Sequence, residues 1–261
     1  MFVITGAEYD RFMGRYSVQL APLFADFAGV QPGHRALDVG CGPGALTVEL
    51  ARRVGAGRVA AIDPAPQFVE ACRQRVVGAD VRVGGAEMLP WADATFDVAL
   101  AQLVLTFMAD APGALREMRR VVCPGGTVAA CMWESNGGMP MIESVWRAVA
   151  QVDPAGASAR PKGRFHTRAE IEELFRGAFS RCELAPLEVA SGYADFDDYW
   201  TSLLGAGGNL GTYVSRLDAP ARARLRAATF EVLGRPTGPV RMTGRAWAAR
   251  GQSRANDVDG V

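Results

Sequence analysis

The chain is poor in the residues that most often do covalent or metal chemistry. Its 261 residues include two histidines, His34 and His166, a single lysine, Lys162, and five cysteines. Cys41, Cys72, Cys123, Cys131 and Cys182 are widely scattered, and no pair has the close spacing of a zinc site or redox motif. No metal site is therefore expected, and the thiols read as reduced. Net charge is also missing. Lysine plus arginine and aspartate plus glutamate number 28 each, so no global field draws nucleic acid or an anionic membrane. No apolar stretch approaches the roughly 20 residues needed to span a bilayer. Met1-Phe2-Val3-Ile4 has no basic region ahead of an apolar run, so no signal peptide is expected. These absences point to a cytoplasmic protein with no nucleic-acid partner and no membrane span.

What remains is ordinary globular composition, 49% apolar and 21% charged, in a chain long enough for one well-cored domain with an added lobe. Residues 7–28 read as a helix. Arg35 to Val39 is a short apolar run ending in glycines, the mark of a buried strand. Leu46, Leu50 and Val54 recur at helical spacing after it. Strands follow at 58–62, 81–83, 96–101 and 127–132. Phe68, Cys72 and Val76 mark one intervening helix, and Leu115, Met118 and Val121 another. Strands alternating with helices mean a parallel sheet covered on both faces. Beyond residue 133 a helix is expected near 140–151, then a proline- and glycine-rich loop at 153–163. Thr167, with Glu170 three residues on, caps a helix ending near Gly177. Residues 181–190 form a weak strand, 195–233 form helices broken by glycines at 205–208, and 240–247 alternate with period two. Asp218 before Ala219-Pro220 is a helix start. From Gly251 the tail is expected to fray.

Gly40, Gly42 and Gly44 lie between the first strand and its helix. Glycine takes backbone conformations closed to other residues and lets a ligand approach the main chain, so a cofactor is expected at the carboxyl end of the sheet, where strand order reverses. The loop alone does not choose that cofactor. Gly40-Cys41-Gly42-Pro43-Gly44-Ala45 also fits a dinucleotide fingerprint, and Asp63 stands where a ribose-binding acid belongs in either case. An NAD(P)-dependent oxidoreductase is thus one alternative, although a tyrosine–lysine catalytic pair is lacking. Three features favour an amino-acid cofactor: the loop has a third glycine, Gly44, two after Gly42; Asp38 precedes the loop, where a carboxylate could face an amino group; and some 34 residues precede the first strand.

Leu37-Asp38-Val39-Gly40-Cys41-Gly42-Pro43-Gly44 resembles the first motif of class I methyltransferases that use S-adenosylmethionine (SAM). Ala61-Ile62-Asp63 resembles the second motif. Gly85-Ala86-Glu87-Met88-Leu89-Pro90-Trp91 with Thr95-Phe96-Asp97-Val98 resembles the adenine-side motif. Leu115 to Gly126 is similar to the helix and turn before strand five. The style is that of small-molecule enzymes similar to quinone-biosynthesis C-methyltransferases. The resemblance implies a doubly wound, mostly parallel seven-stranded α/β sheet, Rossmann-like, with an antiparallel last strand and a helical lid. It implies methyl transfer from SAM to a small-molecule acceptor by in-line displacement, which needs positioning and exclusion of water more than a base. A methyltransferase acting on a macromolecule, or a SAM-binding regulator, is a further alternative; arginines 52, 53, 73, 75, 119 and 120 then read against it as a solvated face.

The implied cofactor contacts are Asp38 at the methionine end, the three glycines, Asp63 with Pro64 at the ribose, Ala86 and Glu87 at the adenine, and Gln102 after strand four. Gly85 stands where the family often carries an aspartate for the adenine amino group. The N-terminal helix resembles one that closes over SAM, with Arg15 or Tyr16 reaching the cofactor carboxylate. Trp91, Phe107, Trp133, Trp146, Tyr193, Tyr199 and Trp200 are candidates for the acceptor pocket, and His166 is a weak candidate base. The expected organisation is an N-terminal helical cap (1–34), a SAM-binding core (35–133), its remainder (134–194), a helical lid (195–233), a last strand (234–250) and a flexible tail (251–261).

Overall fold

The computed structural model describes residues 5–135, 137–160, 163–204 and 208–253. Helix α1 is Gly6–Tyr9, and a π-helical turn at Asp10–Gly14 leads into α2, Arg15–Phe27. The α/β series follows: β1 Ala36–Val39, α3 Ala45–Val54, β2 Val59–Asp63, α4 Pro66–Arg75, β3 Asp80–Val83, β4 Phe96–Gln102, α5 Ala111–Val121 and β5 Val122–Trp133. Then come α6 Pro140–Val152, α7 Pro154–Ser158, α8 Arg168–Arg176, β6 Cys182–Tyr193, α9 Phe196–Leu204, α10 Gly208–Ser215, α11 Ala219–Val232 and β7 Val240–Gln252.

The sheet has seven strands in the order β3-β2-β1-β4-β5-β7-β6. Strands β1 to β5 pair in parallel, and β7 runs antiparallel to β5, with Thr127 opposite Gln252 and Trp133 opposite Ala246. Strand β1 therefore lies between β2 and β4, so the chain winds outward in opposite directions from the β1/β4 junction. A crevice opens at the carboxyl ends of the strands at such a junction.

The two faces of the parallel strands differ in kind because side chains alternate along a strand. Leu37, Val39, Ala60, Ile62, Ala99, Ala101, Val128, Ala130 and Met132 share one face and pack with Leu115 and Met118 of α5 and Ile171 and Phe175 of α8. Helix α5 starts cleanly: the Asp110 side chain accepts the Gly113 N–H, and a proline sits in its first turn. Burying one of its large apolar side chains stabilises the fold by about 1.5–3 kcal/mol, so truncating Leu115 to alanine should cost ~2–5 kcal/mol. The opposite face carries the register partners Asp38, Ala61 and Leu100, then Asp63 and Gln102 one pleat further on. Helices α3 and α4 cover β1, β2 and β3.

Compact packing divides the chain into two units. One comprises Ser17–Glu134, Arg164–Leu187 and Ala246–Val261; the other comprises Met1–Tyr16, Ser135–Gly163 and Glu188–Arg245. These bounds differ from those drawn on composition, because 135–163 groups with 188–245. Segment 195–233 is tied into its own unit: α11 packs along α6, and the Tyr199 hydroxyl donates to the Met141 carbonyl at 2.7 Å. Two local readings are corrected. The expected loop at 153–163 contains α7, which Asp153 caps by accepting the Gly156 N–H ahead of Pro154, the same Asp-Pro start signal as at 218–220. Strand β5 begins at Val122, before the Pro124-Gly125-Gly126 turn, with a register shift between Phe96 and Val98. The expected capping box at Thr167 is present, with the Thr167 hydroxyl and the Glu170 carboxylate each accepting the other's backbone N–H. The glycine break falls mainly on residues 205–207, and the expected flexible tail mainly on 254–261; these, with Lys162, lie outside the described residues.

Candidate functional site

Asp38 is a carboxylate in the middle of an apolar strand. It is 1% exposed. Oδ2 accepts the Thr47 hydroxyl from α3 at 2.6 Å, while Oδ1 has no hydrogen-bond partner among the described residues. Loss of solvation pushes the carboxyl up to about 7; Thr47 holds it down and the charge of Asp63 adds to the rise. Thr47 in turn accepts the Cys72 thiol at 3.4 Å, so a short chain of polar groups runs from α4 through α3 to the end of β1.

Asp63 ends β2. Its Oδ2 accepts the Gly42 N–H and its Oδ1 the Ala65 N–H, each at 2.9 Å. Burial raises its proton affinity, against the pull of those two N–H groups. The carboxylate thus braces the glycine loop from the side and keeps its second lone pairs for other donors. Pro64 is exposed and carries the chain from Asp63 toward α4.

The three glycines do different work. Gly40 has φ +74° and abuts the side chain of Val104; a Cβ there would stand 2.7 Å from Val104 Cγ1. Gly44, at φ +101°, is packed against Cys72. Gly42, at φ +52°, has open space where its Cβ would be. Only Gly42 leaves bare main chain facing outward; the other two are glycine because the protein itself closes against them.

Gln102 ends β4. Its Nε2 donates to the Ser17 carbonyl of α2 at 3.1 Å. That bond fixes the amide orientation, since a carbonyl accepts only from the nitrogen end. Oε1 is left buried and without a partner among the described residues. The next residue, Leu103, has φ +64° and donates its N–H to the Cys131 carbonyl at 2.9 Å. A left-handed leucine is strained, and such residues cluster at functional sites. The turn it makes brings Val104 against Gly40.

Ala86 is buried, and Glu87 Oε1 accepts the N–H groups of Ala109 and Asp110 at 3.1 and 3.3 Å. Glu87 therefore ties the loop after β3 to the start of α5. Its Oε2 lies 3.0 Å from where a Cβ of Gly85 would stand, so the Glu87 carboxylate fills the space beside the glycine.

Arg15 and Tyr16 belong to the other unit, where both have structural partners. The Arg15 guanidinium grips Asp198 at 2.5 and 3.0 Å, donates to the Gly192 carbonyl at 3.0 Å and lies over the Tyr193 ring. The Tyr16 hydroxyl meets that of Tyr193 at 3.3 Å, and burial holds its phenol far above the ordinary range. The candidate acceptor aromatics divide in the same way: Trp91, Phe107 and Trp133 lie in one unit, Trp146, Tyr193, Tyr199 and Trp200 in the other. The His166 Nδ1 is 2.9 Å from the Trp133 carbonyl at the end of β5. The helical arginines are largely engaged within the protein: Arg53 with Asp26 and Glu49, Arg73 with the Val81 carbonyl, Arg119 with the Ala178 carbonyl, and Arg120 with Glu117 and Asp93.

Sequence reasoning singled out Asp38, Asp63 and Gln102 but not the groups packed or bonded around them and the loop, Thr47, Cys72, Ser17 and Val104. Thr47 did leave a signal, being a polar residue on the buried stripe of α3 that holds Leu50 and Val54. Ser17 left none, because it acts through its main chain.

Residues 37–130 match a family model described as a methyltransferase domain. The chain is 32% identical over 173 residues to a malonyl-[acyl-carrier protein] O-methyltransferase of Geobacter sulfurreducens, covering 65% of this chain and 61% of the relative. It is 43% identical over 102 residues to a ubiquinone biosynthesis O-methyltransferase of Methylocella silvestris, covering 38% and 39%. The chain thus spans less than two thirds of the length of these curated relatives. Among solved structures, one from Anaeromyxobacter dehalogenans assigned to the type II methyltransferases superposes with a TM-score of 0.64 at 25% identity, covering 90% of this chain and 96% of that one.

Proposed function

We propose that this chain, whose residues 37–130 match a methyltransferase-domain model, is a class I methyltransferase that binds SAM on the β1/β4 crevice and methylates a small-molecule acceptor. The observation that carries this reading is the unpartnered Oδ1 of Asp38. A buried carboxylate oxygen with no donor is costly, and a ligand that brings an ammonium to it removes the cost. A dinucleotide would instead bring a pyrophosphate to the glycine loop, beside the buried Asp38 carboxylate, which repels it.

The residues present fit SAM. Asp38 takes the amino group, Asp63 has lone pairs left for ribose hydroxyls, and the open side of Gly42 admits the ligand against bare main chain. Ala86 and Glu87 flank the adenine end. When bound, SAM supplies a methyl group on a positive sulfonium, open to in-line displacement. The chain's own part is to hold and orient: Thr47 fixes Asp38, Asp63 braces the loop, and Val104 and Cys72 pack it from behind. Rigid donors and acceptors of this kind contribute through positioning. The ubiquinone biosynthesis O-methyltransferase relative supports a small acceptor.

Calorimetric titration with S-adenosylhomocysteine and with NADH tests the cofactor. Binding of the former alone is expected, and binding of NADH alone would overturn the reading. Incubation with methyl-labelled SAM and a small-molecule extract should place label in low-mass products rather than in protein or RNA.

A further inference from the structure

We propose that Cys41 and Cys72 form an oxidation site, closed to a disulfide by a hydroperoxide, and that this bond weakens cofactor binding at the glycine loop. The coupling to the cofactor rests on the SAM reading above; the disulfide itself does not. Cys41 lies between Gly40 and Gly42 and Cys72 lies on α4, too far apart in sequence for their spacing to declare a pair. Folding brings them together. Both are buried in one small apolar cluster with Ala61, Val69 and Val81, and their thiols hydrogen-bond to each other.

The neighbours give the pair its leverage. The Cys41 N–H donates to the Ile62 carbonyl at 3.0 Å, and the Cys41 carbonyl accepts the Gly44 N–H at 3.0 Å. Cys72 Sγ lies 3.0 Å from where a Cβ of Gly44 would stand and donates to the Thr47 hydroxyl at 3.4 Å. Cys41 is therefore anchored on both sides of its Cα, and Cys72 fills the space behind the last glycine of the loop. A disulfide draws the sulfurs from hydrogen-bond contact to about 2.05 Å. Because Cys41 cannot follow freely, the displacement passes into the loop through Gly42, whose N–H is held by Asp63. The bond also removes the S–H that Thr47 accepts, and Thr47 is the residue that holds Asp38.

The chemistry balances with the peroxide as oxidant. One sulfur attacks a peroxide oxygen, the O–O bond breaks, and hydroxide leaves with the thiol proton as water, giving a sulfenic acid. The second sulfur attacks the first, the S–O bond breaks, and hydroxide leaves with the second thiol proton as water. Two electrons pass from the sulfurs to the peroxide. The hydrogen bond from Cys41 pulls the Cys72 thiol below its ordinary range, against desolvation, which favours the nucleophilic thiolate. Cys41 keeps 6% exposure and Cys72 none, so a reagent as small as hydrogen peroxide arrives from the loop side, where a seated cofactor would cover it.

Hydrogen peroxide treatment of the full chain, followed by peptide mapping and calorimetry, tests both halves. A linked Cys41–Cys72 peptide pair that dithiothreitol undoes is expected, forming more slowly when S-adenosylhomocysteine is present. S-adenosylhomocysteine should bind about tenfold or more weakly after oxidation, the scale of one lost hydrogen bond to the loop, and dithiothreitol should restore it. Cys41→Ser and Cys72→Ser should each abolish the response to peroxide, whatever their starting affinity, and Cys182→Ser should keep it. Absence of the linked pair at a peroxide dose that oxidises the exposed Met88 would overturn the site. A linked pair with unchanged S-adenosylhomocysteine affinity would overturn the coupling. If the reduced chain binds no S-adenosylhomocysteine, the SAM reading and the coupling fall together, and the linked pair alone decides the oxidation site.

Discussion

Cofactor affinity should depend on pH through Asp38, and the size of the effect follows from its burial. With the carboxyl titrating at about 7, roughly nine tenths of it is ionised at pH 8 and roughly one tenth at pH 6. Only the ionised form attracts an ammonium. Affinity for S-adenosylhomocysteine should therefore fall about tenfold between pH 8 and pH 6, with a proton released on binding below neutrality. The stability of the ligand-free chain should move the other way. The folded-state pKa lies above the unfolded value, so the contribution of this group is full at pH below about 4 and is lost as pH rises through about 7. The loss amounts to about 4 kcal/mol at most, taking the span from 3.8 to about 7 at about 1.4 kcal/mol per unit. Asp38→Asn keeps an acceptor for Thr47 and removes the charge. It should melt higher than the unaltered chain at pH 8 yet bind S-adenosylhomocysteine weakly and without pH dependence between 6 and 8. Calorimetry in two buffers of different ionisation heat and thermal melts at both pH values read these quantities. An unaltered chain with equal affinity at pH 6 and 8 would refute the electrostatic role of Asp38.

Further predictions follow from the same geometry. Thr47→Val removes the donor that stabilises ionised Asp38, so the midpoint of the affinity–pH curve should rise, by about one unit for a bond of ordinary strength. Gly40→Ala drives a Cβ into Val104 and should cost about 1–3 kcal/mol in denaturant unfolding, part of it recovered in the Gly40→Ala/Val104→Ala double variant. Gly42→Ala meets open space, so its stability loss should stay near the ~1–2 kcal/mol of a left-handed alanine, while affinity falls further than stability does. Thr167→Ala removes one half of a capping box and should cost about 1 kcal/mol in the same unfolding assay.

The legible parts of the fold were those written in short-range pattern. The apolar run 35–39 and the stripe at 46, 50 and 54 declare a strand and a helix by period alone, and Thr167 with Glu170 declares a helix start by its donors and acceptors. Asp38, Asp63 and Gln102 stand out for a related reason: the first is a carboxylate inside a buried strand, the other two are polar residues that end one, and buried polar groups need partners. The helix at 154–158 was hidden by proline, glycine and alanine, residues that read as a loop until the Asp153 cap is seen. The early start of β5 was hidden by the Pro124-Gly125-Gly126 turn.

The amino-acid sequence by itself determined the order of strands and helices, the glycine loop, and the chemical type of each residue at the crevice. Tertiary structure decided what those residues do. It showed that Gly40 and Gly44 answer to Val104 and Cys72 while Gly42 alone faces open space. It also showed that Arg15 and Tyr16 are spent on Asp198 and Tyr193, and that Ser17 turns the Gln102 amide so that its oxygen is left over. The physical reason is reach. Periodicity and capping are set within a few residues along the chain, whereas a buried acceptor is satisfied or orphaned by atoms that only folding brings near, as Ser17 comes to Gln102 across 85 positions.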